Sequence, residues 1–388
     1  MNFGIICEFN PFHSGHAYLF EQARLLGANN IVCAMSGNAV QRGELAMFDK
    51  YMRAEMATEG GADLVLELPF PWSASSAEYF ATAGIKALYP YCDAIIFGSE
   101  CGDIELLRTA ASCALKPEFE KNFDVRKKSG EGAASAYFSL LEEKIGAKLS
   151  SNDLLGVEYI KAAKKNSLDL EFYTVKRQGS AYRDDTVHKG ELPSASAIRR
   201  AINEGGELRF EGLDKHSAGI IARALEKGEF IDGEALGKAY LLYFRLCDSK
   251  ALCECAEADG GIAERICSLS RESASYGELC DNLKTKRYTD AKLRRAMLFG
   301  ITQVRRELLA QTPEYLYLLG ANERGRALLS SVKKEKKASA IRLVTKPADA
   351  PRDVAQFECE ERLNAIFTLA LKAPKPQGDA YRKNAFIK

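Results

Sequence analysis

Phe3-Gly-Ile-Ile-Cys-Glu-Phe-Asn-Pro-Phe-His-Ser-Gly-His16 opens the chain with a short apolar run, a loop containing Pro11, and the start of a helix expected over Gly15 to Leu26. On that helix Tyr18, Leu19, Ala23 and Leu26 are expected on the buried side, with Gly27 at its end. The pattern then repeats. Asn30 to Met35 reads as a second strand, Leu45 to Glu59 as a helix stopped by Gly60 and Gly61, and Asp63 to Leu68 as a third strand closed by Pro69 and Pro71. Ser73 to Leu88 reads as a helix, Ala94 to Phe97 as a fourth strand ending at Gly98, and Leu168 to Val175 as a fifth. Apolar strands separated by helix-length segments specify an α/β fold with a Rossmann-like, doubly wound parallel sheet. Such sheets bind ligands beyond the carboxyl ends of their strands, which puts loops 8–14, 36–43, 69–72 and 98–102 on one rim.

After about Gly205 the pattern turns helical, with long stretches such as Gly233 to Leu246 and Ala291 to Leu309. At 388 residues the chain is too long for one ordinary core. The expected division is an α/β domain over 1–205, which carries the ligand rim, and a mainly α-helical domain over 206–388. A net charge of +1 excludes a uniformly basic coat but leaves room for local patches. No apolar run approaches the roughly 20 residues of a membrane span. Met1 to Cys7 is short, uncharged and strand-like rather than a secretory leader, so the eleven cysteines are expected to be reduced and the protein cytoplasmic. The tightest cysteine group, Cys247, Cys253 and Cys255, lacks the paired spacing of a zinc site and reads as ordinary semi-buried thiols.

His13 and His16 are two of only four histidines, and they lie three residues apart at a strand-to-helix junction, where i and i+3 project from one side. Gly15 lets backbone come close to a ligand. A helix start offers unpaired N–H groups and the positive end of the dipole, which suits a polyphosphate. Two imidazole donors added there would hold a triphosphate and stabilise charge as pyrophosphate departs. Histidines that merely cap a helix would give the same letters; the position on the rim after the first strand favours the nucleotide. Ser194-Ala-Ser-Ala-Ile-Arg199 strengthens it, because Ser194 and Ser196 at a helix start with Arg199 one turn on form a second anion clamp.

With these segments in view the chain resembles the HxGH nucleotidylyltransferase superfamily, and within it the bacterial tRNA(Met) cytidine acetate ligases. The resemblance rests on Glu8 to His16, Met35-Ser-Gly-Asn38 with Gln41-Arg-Gly-Glu44, Gly61 to Pro69, Phe97-Gly-Ser-Glu100, Ser151-Asn-Asp153 with Gly156, Pro193 to Arg199, and Thr285 to Thr289. It implies two steps: ATP and acetate give acetyl-adenylate and pyrophosphate, and the acetyl group then passes to the wobble cytidine of elongator tRNA(Met). It implies His13 and His16 as catalytic residues, with Mg2+ expected beside ATP. Carried over position by position, the ATP contacts are Ile6, Cys7, Glu8, Phe9, Asn10, Pro11, Phe12, His13, Ser14, Gly15, His16, Ala17, Tyr18, Leu19, Gly98, Asn152 and Arg177. Gly98 admits the adenosine, Asn152 pairs with a base edge or ribose, and Arg177 neutralises phosphate or stacks on adenine. Taken alone, these three read as a turn glycine, a helix N-cap and a surface arginine.

Asp49, Lys50 and Arg53, near the second rim loop, either reach the phosphates or carboxylate or form a solvated helix face. Glu8 and Glu67 at strand ends are candidates to order magnesium or a histidine. For RNA, Lys284, Lys286, Arg287, Tyr288, Arg294 and Arg295 form a basic stretch with an aromatic for stacking, and Lys333 to Lys337 forms a second. Two other functions fit parts of the pattern: an adenylyltransferase acting on a small phosphorylated metabolite, which would not need some 180 further helical residues, and a non-catalytic RNA-binding protein, which would not need an intact histidine pair.

Overall fold

A computed structural model of the chain describes residues 1–129, 132–177, 195–203, 213–335 and 341–388. The elements run β1 (Asn2–Cys7), α1 (Ser14–Leu25), β2 (Asn30–Ser36), a two-stranded hairpin β3 (Ala39–Val40) and β4 (Glu44–Leu45), α2 (Lys50–Glu59), β5 (Leu64–Leu68), α3 (Ala77–Leu88) and β6 (Ala94–Ser99). Then come α4 (Ile104–Ala114), α5 (Pro117–Lys128), α6 (Ala133–Ile145), α7 (Ser151–Lys165), β7 (Glu171–Lys176), α8 (Ala195–Asn203) and α9 (Lys215–Glu226). The helical stretch is α10 (Gly233–Leu246), α11 (Ser249–Cys253), α12 (Ile262–Glu272), α13 (Tyr276–Leu283), α14 (Asp290–Thr302) and α15 (Arg306–Leu309). The chain closes with β8 (Tyr315–Ala321), α16 (Glu323–Glu335), β9 (Arg342–Val344), α17 (Ala355–Leu369) and β10 (Phe386–Ile387).

The main sheet has the order β10-β8-β5-β2-β1-β6-β7, with β9 also on β8. From β5 to β7 all neighbours are parallel. The chain builds outward from β1 through β2 to β5, then crosses to β6 and β7 on the other side. The crevice between the carboxyl ends of β1 and β6 is therefore the topological switch point, where doubly wound sheets bind their ligands. Side chains alternate between faces. Phe3, Ile5, Ile31, Cys33 and Ile96 pack with Phe20 of α1, Met56 of α2, and Ile198 and Ile221 of α8 and α9. Ile6, Val32, Leu64, Leu66 and Ile95 pack on the other face with α3, α4, α7 and α17. Gly4 is required there: a Cβ would stand 2.8 Å from Ile95 and 2.9 Å from the Cys92 sulfur.

The structure corrects several sequence expectations. The helix expected from Leu45 begins at Lys50, capped by Asp49, because the preceding residues form the hairpin. The stretch Ala291 to Leu309 is broken at Gln303, which has φ 56°. On α1 the buried side chains are Phe20 and Ala23, whereas Leu26 is exposed. The sheet is not confined to 1–205. Tyr315-Leu-Tyr-Leu-Leu-Gly-Ala321 is wholly buried and pairs antiparallel with β5. Within 206–388 the helices from α10 to α14 have a core of their own, centred on Phe244, Ile262, Ile266, Leu279, Leu293 and Met297. Trp72, fully buried, ties that part to the sheet by donating from its indole nitrogen to the Leu309 and Gln311 carbonyls at 3.2 and 3.0 Å.

Candidate active site

The HxGH segment folds into a capping box. His13 is the N-cap of α1, and its Nδ1 accepts from the Gly15 N–H at 3.0 Å, while His16 Nδ1 accepts from the His13 N–H at 3.2 Å. A nitrogen that accepts an N–H carries no proton, so both neutral rings bear theirs on Nε2. The pair therefore caps the helix and still presents two N–H donors. The rings lie 3.8 Å apart between centroids. Gly15 makes this approach possible, since a Cβ there would stand 2.9 Å from His13 Cε1. Phe9 and Phe12 pack on His16 at 4.8 and 5.6 Å and fix its plane. Phe9 holds φ 44°, a left-handed conformation that costs a non-glycine residue energy and is kept here by complete burial.

The electrostatics keep both rings neutral. Burial, then the nearby Arg177 and Arg199, pulls His13 down to about 4. Burial, then His13 and Arg177, holds His16 well below the usual imidazole range. Two guanidinium groups thus lie near a pair of uncharged donors at a helix start, and the charge of the site is supplied by arginine. Arg199 donates to the Asn10 carbonyl at 2.7 Å and lies 3.4 Å from Ser196 Oγ, so the second clamp meets the first. Ser194 falls outside the described residues. Ser14 Oγ is buried with no hydrogen-bond partner among the described residues.

The other expected ATP residues divide by what they offer. Ile6 packs against Gly84 in the core, and Phe9 and Phe12 are buried, so a ligand at this end of β1 meets their backbone. Cys7 places its sulfur 3.7 Å from the Ala34 carbonyl, and burial pushes its thiol well up, so it is an inert packing thiol. Asn10 and Pro11 form the loop, with Asn10 Oδ1 accepting from the Met47 N–H at 2.8 Å. Ala17, Tyr18 and Leu19 are half-buried along α1. Across the crevice Gly98 is the last residue but one of β6, and a Cβ there would touch Arg177 Cγ at 3.2 Å. Asn152 is not the N-cap of its helix: Ser150 takes that role, leaving the Asn152 amide to bond Glu100 at 2.7 Å.

Asp49, Lys50 and Arg53 are not a solvated face. Arg53 is fully buried and donates to the carbonyls of Phe48 at 2.9 Å, Glu8 at 2.7 Å, Ser36 at 3.0 Å and Gly37. It thereby pins together the loops that leave β1 and β2. Lys50 bonds Glu67 at 2.5 Å, and Asp49 caps α2 and pairs with Lys383. Glu8, pushed up by burial, accepts from the Gln41 N–H at 2.9 Å. Sequence reasoning singled out these residues but missed that they brace the rim from beneath. It gave no role to Glu100, although the Ser150-x-x-Asp153 capping box pointed to the turn that holds it.

A cavity of about 480 Å3 opens beyond Arg199, lined by Asn203, Glu44 of the hairpin, and Tyr240, Tyr276 and Arg294 of the helical part. Of the expected RNA residues, Lys286 and Arg287 are exposed, and the Tyr288 hydroxyl donates to the Gly260 carbonyl at 2.9 Å. Lys284 pairs with Asp281, Arg294 with Glu44, and the buried Arg295 with Glu257. Arg324 and Arg326, before the second basic run, sit at the opposite end of the sheet from the rim, beside Asp63 at the start of β5. Cys247 lies against Cys267, with sulfurs 3.3 Å apart, rather than against Cys253 or Cys255.

A family model described as HIGH Nucleotidyl Transferase matches residues 1–382. Relatives named tRNA(Met) cytidine acetate ligase include one from Caldanaerobacter subterraneus subsp. tengcongensis, 33% identical over 95% of both chains. Another, from Acetivibrio thermocellus, is 32% identical over 99% of both. The crystal structure of Thermotoga maritima TmcAL without ligand aligns over 100% of this chain and 99% of its own, with TM-score 0.90 at 29% identity. The same protein bound with α-thio ATP aligns over the same shares with TM-score 0.88 at 28% identity. The chain therefore belongs to the HIGH nucleotidyl transferase family and, within it, to the tRNA(Met) cytidine acetate ligases.

Proposed function

We propose that the chain activates acetate with ATP and acetylates a tRNA cytidine. In the first step an acetate oxygen attacks the α-phosphorus, the bond from that phosphorus to the bridging oxygen breaks, and acetyl-adenylate and pyrophosphate form. In the second, the N4 amine of the wobble cytidine of elongator tRNA(Met) attacks the acetyl carbon, AMP leaves, and the amine proton passes to solvent. The carrying observation is the His13–His16 capping box at the switch point, with Arg177 and Arg199 near enough to act on His13. Four donor groups around one helix start suit the charge that develops on a departing pyrophosphate, with no protein nucleophile required. Because each Nδ1 lone pair is already taken by a backbone N–H, the nitrogen left for a ligand is Nε2–H, and the imidazoles act as hydrogen-bond donors rather than as a general base.

Mg2+ enters with ATP on this reading. The described residues include no group of three or more His, Cys, Asp or Glu able to cage a metal, which suits an ion carried largely on phosphate oxygens and water. The RNA face is assigned to the part of 206–388 that borders the cavity beyond Arg199, with Lys286 and Arg287 as its exposed cations. No helix among the described residues is long and apolar enough to cross a membrane, in keeping with a cytoplasmic site of action.

The test is ATP–pyrophosphate exchange with and without acetate, followed by acetate incorporation into a tRNA(Met) transcript. Acetate-dependent exchange and N4-acetylcytidine in the RNA are expected. Exchange driven by a phosphorylated metabolite instead, with no acetylated nucleoside, would replace this reading with the adenylyltransferase one.

A further inference from the structure

The rim of β6 ends in Glu100, whose carboxylate gathers three neighbours. One oxygen accepts from Asn152 Nδ2 at 2.7 Å and lies 3.4 Å from Arg177 Nε, while the other accepts from Ser150 Oγ. The backbone is locked as firmly: Asp153 Oδ1 accepts from the Glu100 and Cys101 N–H groups at 3.0 and 3.2 Å, and its Oδ2 accepts from the Ser150 N–H at 2.7 Å. The turn after β6 and the start of α7 are thus one braced unit, with Glu100 at its open side, 37% exposed. With the phosphates at His13 and His16, the nucleoside lies across the crevice towards this unit, where Gly98 lets the Arg177 side chain pack close against β6.

A carboxylate accepts and cannot donate, so Glu100 fixes which way round the Asn152 amide sits. Its NH2 is held towards Glu100, and its carbonyl oxygen is left to meet a ligand. An amide in this orientation accepts from the exocyclic amine of adenine and offers its remaining N–H to a ring nitrogen. A base with a carbonyl at that position needs the amide reversed, which would set Asn152 Oδ1 against the Glu100 carboxylate. We propose that Glu100 is a specificity-determining residue of the nucleotide site, selecting a 6-amino purine over a 6-oxo purine by locking the Asn152 amide. It also takes Arg177 by Nε, leaving the two terminal nitrogens of that guanidinium for phosphate or for stacking.

The inference rests on the proposed reading only for where the nucleoside lies, so it is tested by binding as well as by turnover. ATP and ITP differ at the atoms concerned. Titration calorimetry of each into the purified full-length protein, without acetate or RNA, gives the ratio of affinities, and acetate-dependent exchange gives the ratio of kcat/KM. Glu100→Gln lets a side-chain amide donate to the reversed Asn152, and is expected to cut the ATP:ITP preference by about ten-fold, with most of the change in KM. Glu100→Asp, which keeps the negative charge, should retain more of the preference. Ser150→Ala removes a partner of Glu100 but not the carboxylate, and should leave the ratio as in the wild type. An unchanged ratio in Glu100→Gln, in a variant that melts as the wild type does, overturns the proposal. Should exchange fail with acetate while calorimetry shows the predicted ratios, the acetate reading falls and this one stands.

Discussion

The sheet rim and the stretch from Lys284 to Arg295 are both rich in basic residues, and they differ in what those residues already hold. At the rim, Arg199 donates to a carbonyl and lies near a hydroxyl, and Arg177 shares one half-exposed carboxylate. In the helical part, Lys284, Lys292, Arg294 and Arg295 are each paired with an acid. Among the described residues, only Lys286 and Arg287 of that stretch are exposed without an acidic partner. Charge counted along a sequence therefore overstates charge available to a phosphate. The rim keeps more of its potential because Arg199 faces backbone and a hydroxyl, and Arg177 meets a single partly exposed carboxylate.

Beneath the rim the contrast is sharpest at Arg53. Arg53→Ala takes the guanidinium from three buried carbonyls and one partly buried one and frees two loops, and is expected to cost about 3–5 kcal/mol in denaturant unfolding. A loss below about 1 kcal/mol would mean that water replaces the guanidinium and that the rim is not braced as described. Next in size are His13→Ala and His16→Ala. Each removes one donor and is expected to lower adenylate formation about 10²–10³-fold, with ATP-independent stability changed much less than in Arg53→Ala. Equal losses of fold and activity would make the histidines caps and nothing more.

In the helical part the prediction separates free from paired charge. Lys286→Ala with Arg287→Ala should weaken tRNA binding and lower the salt slope by about two, while exchange without RNA persists. Arg294→Ala should change the slope by less, since its charge is spent on Glu44. If the two sets behave alike, the ion pairs open on RNA binding and the distinction drawn here fails.

The smallest expected effect is a pH dependence. His13 sits at about 4 in the fold, against 6.5 for an ordinary imidazole, because of burial and then its two arginines. Between those values the unfolded chain binds the proton and the folded one does not, so stability falls as pH falls from about 6.5 towards 4. In His13→Gln, melting temperatures measured across that window should decline less steeply than in the wild type. A decline as steep as that of the wild type would place the His13 titration outside the window.

Much of the site was legible because its chemistry is local. The HxGH run fixes a capping box within four residues, and the strand before it sets which end of the sheet it occupies. Parallel strands β1, β2, β5, β6 and β7 were legible for the same reason, as apolar runs with helices between them. What only the tertiary structure decided depends on partners far apart in the chain. β8 lies in a part of the chain read as mainly helical, and its place in the sheet is set by pairing with β5, some 250 residues earlier. Arg53, Lys50 and Arg295 look like surface charge until their buried partners are known, and Glu100 gains a role only when α7 and β7 bring Asn152 and Arg177 beside it. A sequence states propensity and period directly, because both are set by neighbours on the chain. Burial and hydrogen-bond pairing are set by neighbours in space, and those exist only once the sheet has closed around the crevice.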